Sequence, residues 1–402
     1  MKETVIKNIR TDDIGPFLQR LVRIPTINPP GNEAECAGLV AEKLKELGFQ
    51  VNLYEAEKDR TNVVGVLKGS GGGKNFLLYS GHLDVVPPGN LEDWEFDPFS
   101  GKMEGDKIHG RGTADHKGTV AASLFALQSI LESNVRLKGD VVFVAAADEE
   151  MLGRKGAGFL VQNNYVYGDM GIGAVPTGGK YIGIASMGYL WPKITVIGKE
   201  VHGAFPEKGI NAIDKAADLI KALHSLKLKK KNKLMPTKRS AGILNVTMIN
   251  SGVKTNIIPG RAELYLDRRL VPEETPEEAL SQIEGVIEAL QSKDKDFCAK
   301  IEVLDSDRGS VISKNEPIVK KLIENIVTII GITPVITGFP GISDNRHFIN
   351  GAKIPLVSWG PGGFGPNGEI TTHVPNEYIH LSELVDFSKV IVATILDICG
   401  CE

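Results

Sequence analysis

Short apolar runs alternate along the chain with longer stretches in which apolar residues recur every three or four positions. Phe49–Tyr54, Asn62–Leu67, Phe76–Tyr79 and Val141–Ala147 read as strands, the last two apolar enough for buried parallel ones. Residues 12–24, Glu33–Leu47 and Thr119–Leu131 carry the helical period; Pro25 stops the first and Gly48 the second. This alternation predicts an α/β domain with a mostly parallel sheet. From about residue 187 the texture changes. A strand-like stretch through TVIGKE leads to a helix at Asn211–Leu226, strands at Gly242–Ile249 and Arg261–Arg268, and a helix at Pro276–Gln291. That β-α-β-β-α-β order is the ferredoxin-like α+β plan. From about 308 the α/β texture returns, with a helix at Pro317–Ile330, a strand at Ile354–Ser358 and a helix from Leu381 to about 398. The expected organisation is a discontinuous domain, 1–186 with 308–402, interrupted by a second at 187–307.

Composition narrows the class. With 402 residues, 42% hydrophobic and 24% charged, the chain can build a substantial core. A net charge of −4 argues against nucleic acid or an anionic membrane as partner. No apolar run approaches the roughly 18 residues of a membrane span, and the N-terminal segment lacks a signal-peptide core. The four cysteines, Cys36, Cys298, Cys399 and Cys401, are scattered and suit a reducing compartment rather than a disulfide framework. A cytoplasmic location is expected. The basic tract Lys227, Lys229, Lys230, Lys231, Lys233 and Lys238 reads as a solvated loop and helix end.

Chemistry gathers where apolar strands end. Phe76–Tyr79 runs into Ser80-Gly81-His82-Leu83-Asp84. Positions i and i+2 of an extended chain share a side, so His82 and Asp84 can meet, with one ring nitrogen of His82 free for a metal. A histidine satisfied at a strand end is the plainer alternative. A Gly-rich loop, GRGTADHKG, places Asp115 just ahead of a helix, at the rim where open α/β sheets bind ligands. A phosphate cradle there lacks the Lys-Ser/Thr it would need. The strand Val141–Ala147 ends in Asp148-Glu149-Glu150, acids that are costly unless solvated or bound. If the chain stays extended, Glu149 and Glu150 face opposite ways, one for a metal and one for the substrate. His373 lies in a loop after Gly360-Pro361-Gly362-Gly363. Two histidines and several carboxylates suit zinc, cobalt or manganese.

The segments SGHLDVVP, GRGTADHKG, ADEE, HGAFPEKGINAI, NIIPGRAELYLDRRL and GPG…THVPNEY resemble, in order and spacing, the M20 metallopeptidases. That family includes acetylornithine deacetylases, succinyl-diaminopimelate desuccinylases, aminoacylases and glutamate carboxypeptidases. The resemblance implies an α/β zinc-peptidase-like catalytic domain, an inserted lid that also dimerises, and two Zn2+, Co2+ or Mn2+ ions. It implies that His82 binds one metal with Asp84 behind it, that Asp115 bridges, that Glu149 is the general base, and that Glu150 and His373 bind the other metal. His202 is implied to reach the partner subunit's site and stabilise the oxyanion, with Asn256 and Arg269 holding the substrate. A surface ion pair within Asp267-Arg268-Arg269 is the alternative for Arg269. The expected chemistry is hydrolysis of a linear C–N amide, foremost deacylation of an N-acyl amino acid, with dipeptide or carboxypeptidase cleavage behind it.

One position departs. Where the family carries an acid before Pro-Thr as third ligand of the first metal, this chain reads Ala174-Val175-Pro176-Thr177. Valine cannot ligate. The first site would keep His82 and Asp115, below the three protein ligands usual for catalytic zinc. The chain is then a one-metal enzyme or a specialised one, unless His116 or Asp169 makes up the deficit. A non-catalytic binding protein reusing the cleft is the reading from another class; the intact Glu149 speaks against it.

Overall fold

The computed structural model describes residues 2–228, 230–236, 240–365 and 367–402. Lys229 and Lys238 of the basic tract lie outside them, and Lys230 pairs with Glu278 at 2.6 Å. The chain divides into two units. One comprises the chain up to Ile184 with Ile312–Thr337 and Ser343–Glu402; the other holds Ala185–Val311. Gly338–Ile342, expected in the first, groups with the second. Among the described residues no helix is long and apolar enough to cross a membrane.

In the first unit the strands Gln50–Glu57, Arg60–Leu67, Val141–Ala146, Phe76–His82, Met170–Gly173 and Leu356–Ser358 lie side by side in that order. Phe76–His82 is parallel to both neighbours, and Leu356–Ser358 is parallel to Met170–Gly173. The two pairings at the Gln50–Glu57 edge, with Arg60–Leu67 and from there to Val141–Ala146, are antiparallel. The continuous apolar runs have the reason the pattern implied: every residue of Phe76–His82 and Val141–Ala146 is buried. Leu77, Tyr79, Val142 and Val144 enter one core with Leu160, Phe348 and Ile354. Phe76 and Leu78, alternate to them, are equally buried on the other face. Each such side chain contributes about 1.5–3 kcal/mol on burial. Helix Gly118–Glu132 is buried all round because its sequence is small or apolar on every face, and it packs against Leu381–Cys399.

The second unit is a four-stranded antiparallel sheet in the order Ile243–Ser251, Arg261–Leu270, Gly188–Ile197, Cys298–Asp307. Helices Ala212–His224 and Pro276–Lys293 bury Leu219 and Ile283 against Ile194, Val196 and Leu264. A capping box between Thr275 and Glu278 starts the second helix. The ferredoxin-like plan is therefore present, with the first strand central and flanked by the third and fourth.

Candidate metal centre

The site sits at the carboxyl ends of the parallel strands of the first unit. Phe76–His82 delivers His82, which is 2% exposed, through Gly81 at φ +128°. A Cβ at Gly81 would meet Cβ of His116 at 2.7 Å, so only glycine leaves room for that ring. His82 Nδ1 lies 2.9 Å from the Asp84 carbonyl oxygen and 3.4 Å from its Oδ1. The orienting partner is thus chiefly the backbone of Asp84, not the carboxylate expected. That carboxylate has another task. Its Oδ1 accepts from Glu149 N at 3.1 Å, and its Oδ2 accepts from Glu150 N at 3.1 Å and Asn28 Nδ2 at 2.7 Å.

Asp84 thereby explains the turn beyond Val141–Ala146. The acids do not continue an extended strand, as the alternation argument assumed. Glu149–Met151 is a 3-10 turn between Asp148 and Leu152, both in the left-handed region at φ +69° and +77°. Asp148 is held there by Arg60 at 2.8 Å and by Lys155 N at 2.9 Å. Tight turning still separates the two glutamates. Glu150 Oε1 reaches His373 Nε2 at 3.2 Å, while Glu149 Oε2 lies 3.9 Å from His82 Nε2.

Asp115 stands in a turn, Thr113–Lys117, ahead of helix Gly118–Glu132. Its loop is clamped by Glu377, a residue to which the sequence reading gave no role. Glu377 Oε1 accepts from the amides of Gly112, Ala114 and Asp115 at 3.0, 3.0 and 3.2 Å, and Oε2 accepts from Arg111 at 2.5 Å. The THVPNEY segment contained Glu377, but only the tertiary fold reveals what it binds. Asn28, whose contact with Asp84 spans 56 positions, escapes the sequence for the same reason.

Two groups of three donors converge on Asp115. Asp115, Glu150 and His373 form one; His82, Asp115 and His116 form the other, with the donor atoms of each within 4.8 Å of one another. His373 Nε2 is 3.2 Å from Asp115 Oδ2, and both His82 Nε2 and His116 Nε2 are 3.1 Å from Asp115 Oδ1. Asp169 is not among them. It pairs with Lys74 at 3.2 Å and Asn75 N at 2.8 Å, at the amino end of Met170–Gly173 and so at the far edge of the sheet. Val175 follows that strand at the site's end and is buried without a donor. Glu149 belongs to neither group. Imidazole and carboxylate donors at this spacing fit a divalent ion of the zinc, cobalt or manganese kind.

The electrostatics follow from burial and crowding. Burial, with Asp344, Glu150 and Asp115 nearby, pushes Glu149 well above the usual carboxylate range despite His82. Burial likewise raises Glu150, against the hydrogen bond from His373. Burial opposes ionisation of Asp115, but His116, His373 and His82 outweigh it and hold its pKa well below the ordinary value. Hydrogen bonds to Asp115 and Glu150 push His373 up to about 10. Burial pulls His116 down to about 3.

The remaining expected residues lie in the second unit. His202 is exposed in a two-stranded ribbon, paired with Ile257, and its Nδ1 accepts from Ala204 N at 3.1 Å. Asn256, also exposed, accepts from Gly203 N at 2.8 Å, so the two share one ribbon. Arg269 Nε lies 2.9 Å from Asp267 Oδ1, the ion pair kept open as its alternative.

Residues 78–397 match the family described as Peptidase family M20/M25/M40. An uncharacterised metallohydrolase of Methanococcus maripaludis is 28% identical over 402 residues, spanning 92% of this chain and 95% of its own. A succinyl-diaminopimelate desuccinylase of Pelagibacter ubique is 26% identical, with 92% and 95% covered. In fold, the aminopeptidase PepT of Bacillus cereus superimposes with a TM-score of 0.79 at 23% identity, covering 97% of this chain and 99% of that one.

Proposed function

Because the chain belongs to peptidase family M20/M25/M40 and is a metallohydrolase, we propose that it hydrolyses a linear amide, removing the acyl group from an N-acyl amino acid. The observation that carries this reading is the place of Glu149: in neither donor group, yet 3.9 Å from His82 Nε2 and next in sequence to Glu150. Asp115, Glu150 and His373 would hold an ion, which when bound polarises a carbonyl and lowers the pKa of water. Glu149 takes a proton from the attacking water as its oxygen bonds the amide carbon, then returns it to the leaving nitrogen as the C–N bond breaks. The products are a carboxylate and an amine. Asp84 keeps Glu149 in place through its amide. The desuccinylase relative supports a substrate that carries a free carboxylate. Arg269 would exchange Asp267 for that carboxylate, and Asn256 would hold another part of the substrate.

A panel of N-acyl amino acids, their methyl esters and dipeptides, scored by ninhydrin for released amine, tests this. Turnover of the acids and not the esters is expected; cleavage of dipeptides alone would replace the reading.

The unit Ala185–Val311 is proposed to form a homodimer in which His202 serves the neighbouring subunit's site and stabilises the oxyanion. Ile243–Ser251 is an edge strand with Met248 and Ile249 55% and 49% exposed, which supports pairing with a second copy. Mixed dimers of His202→Ala and Glu149→Ala chains should regain part of the activity that each lacks. Mixed dimers that stay inactive would remove the sharing.

A further inference from the structure

We propose that His82, Asp115 and His116 form a second cation site, with His116 as a ligand through Nε2. The inference shares only Asp115 with the hydrolytic reading above, and it rests on three donor atoms within 4.8 Å of one another and on which nitrogen of each ring its neighbours leave free. His82 Nδ1 faces the carbonyl oxygen of Asp84 at 2.9 Å. A carbonyl can only accept, so Nδ1 carries the hydrogen and the neutral ring keeps its lone pair on Nε2.

His116 is fixed in the same sense by Thr119. The Thr119 hydroxyl donates its one hydrogen to the His116 carbonyl at 2.8 Å. Its oxygen therefore accepts from His116 Nδ1, which lies 3.0 Å away. The hydrogen of the neutral His116 ring is on Nδ1, and its Nε2 also carries a lone pair.

Three acceptors then meet. Nε2 of His82 and Nε2 of His116 each lie 3.1 Å from Oδ1 of Asp115. A hydrogen between His82 Nε2 and Asp115 Oδ1 is what an ion would displace, and each ring, neutral once the ion is bound, then turns the lone pair of its Nε2 to the ion. Donors about 3.3 Å apart are what a tetrahedral ion with bonds of about 2.0–2.2 Å requires. The rings are held edge to face, 4.9 Å between centroids, and both are nearly inaccessible, at 2% and 3% exposure. Gly81 supplies the space that the His116 ring needs.

Val175, buried beyond the carboxyl end of Met170–Gly173, has no donor to offer; the third donor beside His82 and Asp115 is the imidazole of His116. Two imidazoles and one shared carboxylate select a late first-row divalent ion, zinc, cobalt or nickel, over magnesium or calcium.

The test counts ions rather than turnover. Wild type, His116→Gln and His373→Gln are loaded with Zn2+, dialysed and analysed by inductively coupled plasma mass spectrometry. In parallel, Co2+-loaded samples are examined by X-ray absorption for bound imidazole. Wild type is expected to hold two ions per chain and each variant one, with fewer imidazole nitrogens per cobalt in His116→Gln than in His373→Gln. Two ions retained by His116→Gln, or one ion in wild type and in His116→Gln alike with unchanged imidazole count, overturns the site. Should His116→Gln fail to fold, Thr119→Val decides: the ring stays but the partner that fixes its hydrogen is lost. One of the two ions should then bind about 10–100-fold more weakly, and unchanged affinity for both overturns the proposal. Two bound ions without any amide cleaved would defeat the hydrolytic reading and leave this site standing.

Discussion

The two donor groups share Asp115 and differ in almost everything else. His82–Asp115–His116 is nitrogen-rich, carries one carboxylate and lies under the surface, its histidine side chains 3% and 4% exposed. Asp115–Glu150–His373 carries two carboxylates, and its histidine stands on a loop with 51% of the side chain exposed. In the first group both rings are steered from behind, by the Asp84 carbonyl and by Thr119. In the second, the partners of His373 among the described residues are the carboxylates it would share an ion with. An ion in the first group must give up most of its water and is selected by ligand softness. An ion in the second keeps contact with solvent and gains more from charge. Asymmetry of this kind suits a centre with one fixed and one exchangeable position.

The comparison is sharpened most strongly by the residue outside both groups. Glu149→Gln should lower kcat by about 10²–10⁴-fold while both ions remain bound. Loss of an ion in parallel would place Glu149 inside one of the groups and undo the contrast. Asp84→Asn touches both sides at once, because an amide cannot accept from both the Glu149 and Glu150 amides. Affinity should fall about 10–100-fold, measured by competition with a chromophoric chelator. Gly81→Ala acts on the buried group alone. The added methyl meets His116 in a backbone conformation that L side chains rarely adopt. A cost of about 1–3 kcal/mol in denaturant unfolding is expected, with one ion loosened and the other kept; equal loosening of both would erase the distinction.

The smallest effect is one of pH. The folded pKa of His373, about 10, lies above its unfolded value of about 6.5. Its contribution to the stability of chelator-stripped protein is therefore full below about pH 6.5 and lost as pH rises through about 10. A fall in Tm across that window, smaller in His373→Gln than in wild type, is the expected result; the remainder belongs to His82, which burial would lower but which Asp115 and Asp84 hold well above its ordinary value. His116, at about 3, is neutral throughout and adds nothing there.

Much of this centre was legible in the sequence because strand ends are. An apolar run that stops at a histidine or an acid marks the rim of a parallel sheet, and His82, Glu149 and Glu150 stand out this way; Asp115 stands out instead by its Gly-rich loop ahead of a helix. Direction was harder to read. Asp169 lies close in sequence to the Val175 position, yet it precedes its strand while Val175 follows it, and the strand puts them at opposite ends. The Glu149–Glu150 turn was misjudged because alternation holds only while the chain stays extended; Asp148 in a left-handed conformation ends that, held by an arginine far away in sequence. Glu377 and Asn28 act on backbone amides and on another side chain's oxygen, and neither partner is visible from local pattern.

The clamp of Glu377 on the Asp115 loop also has a bearing on how the protein is made. The two residues are separated by 262 positions, and His373 comes only just before the clamp. A ribosome that has finished the sheet strands Phe76–His82 and Val141–Ala146 has still not released the acid that orders the bridging aspartate. Until residue 377 is made, His82 and His116 have their local partners, but the amides around Asp115 lack the acid that clamps them. The group Asp115–Glu150–His373 can therefore be completed only after Ala185–Val311 has been made.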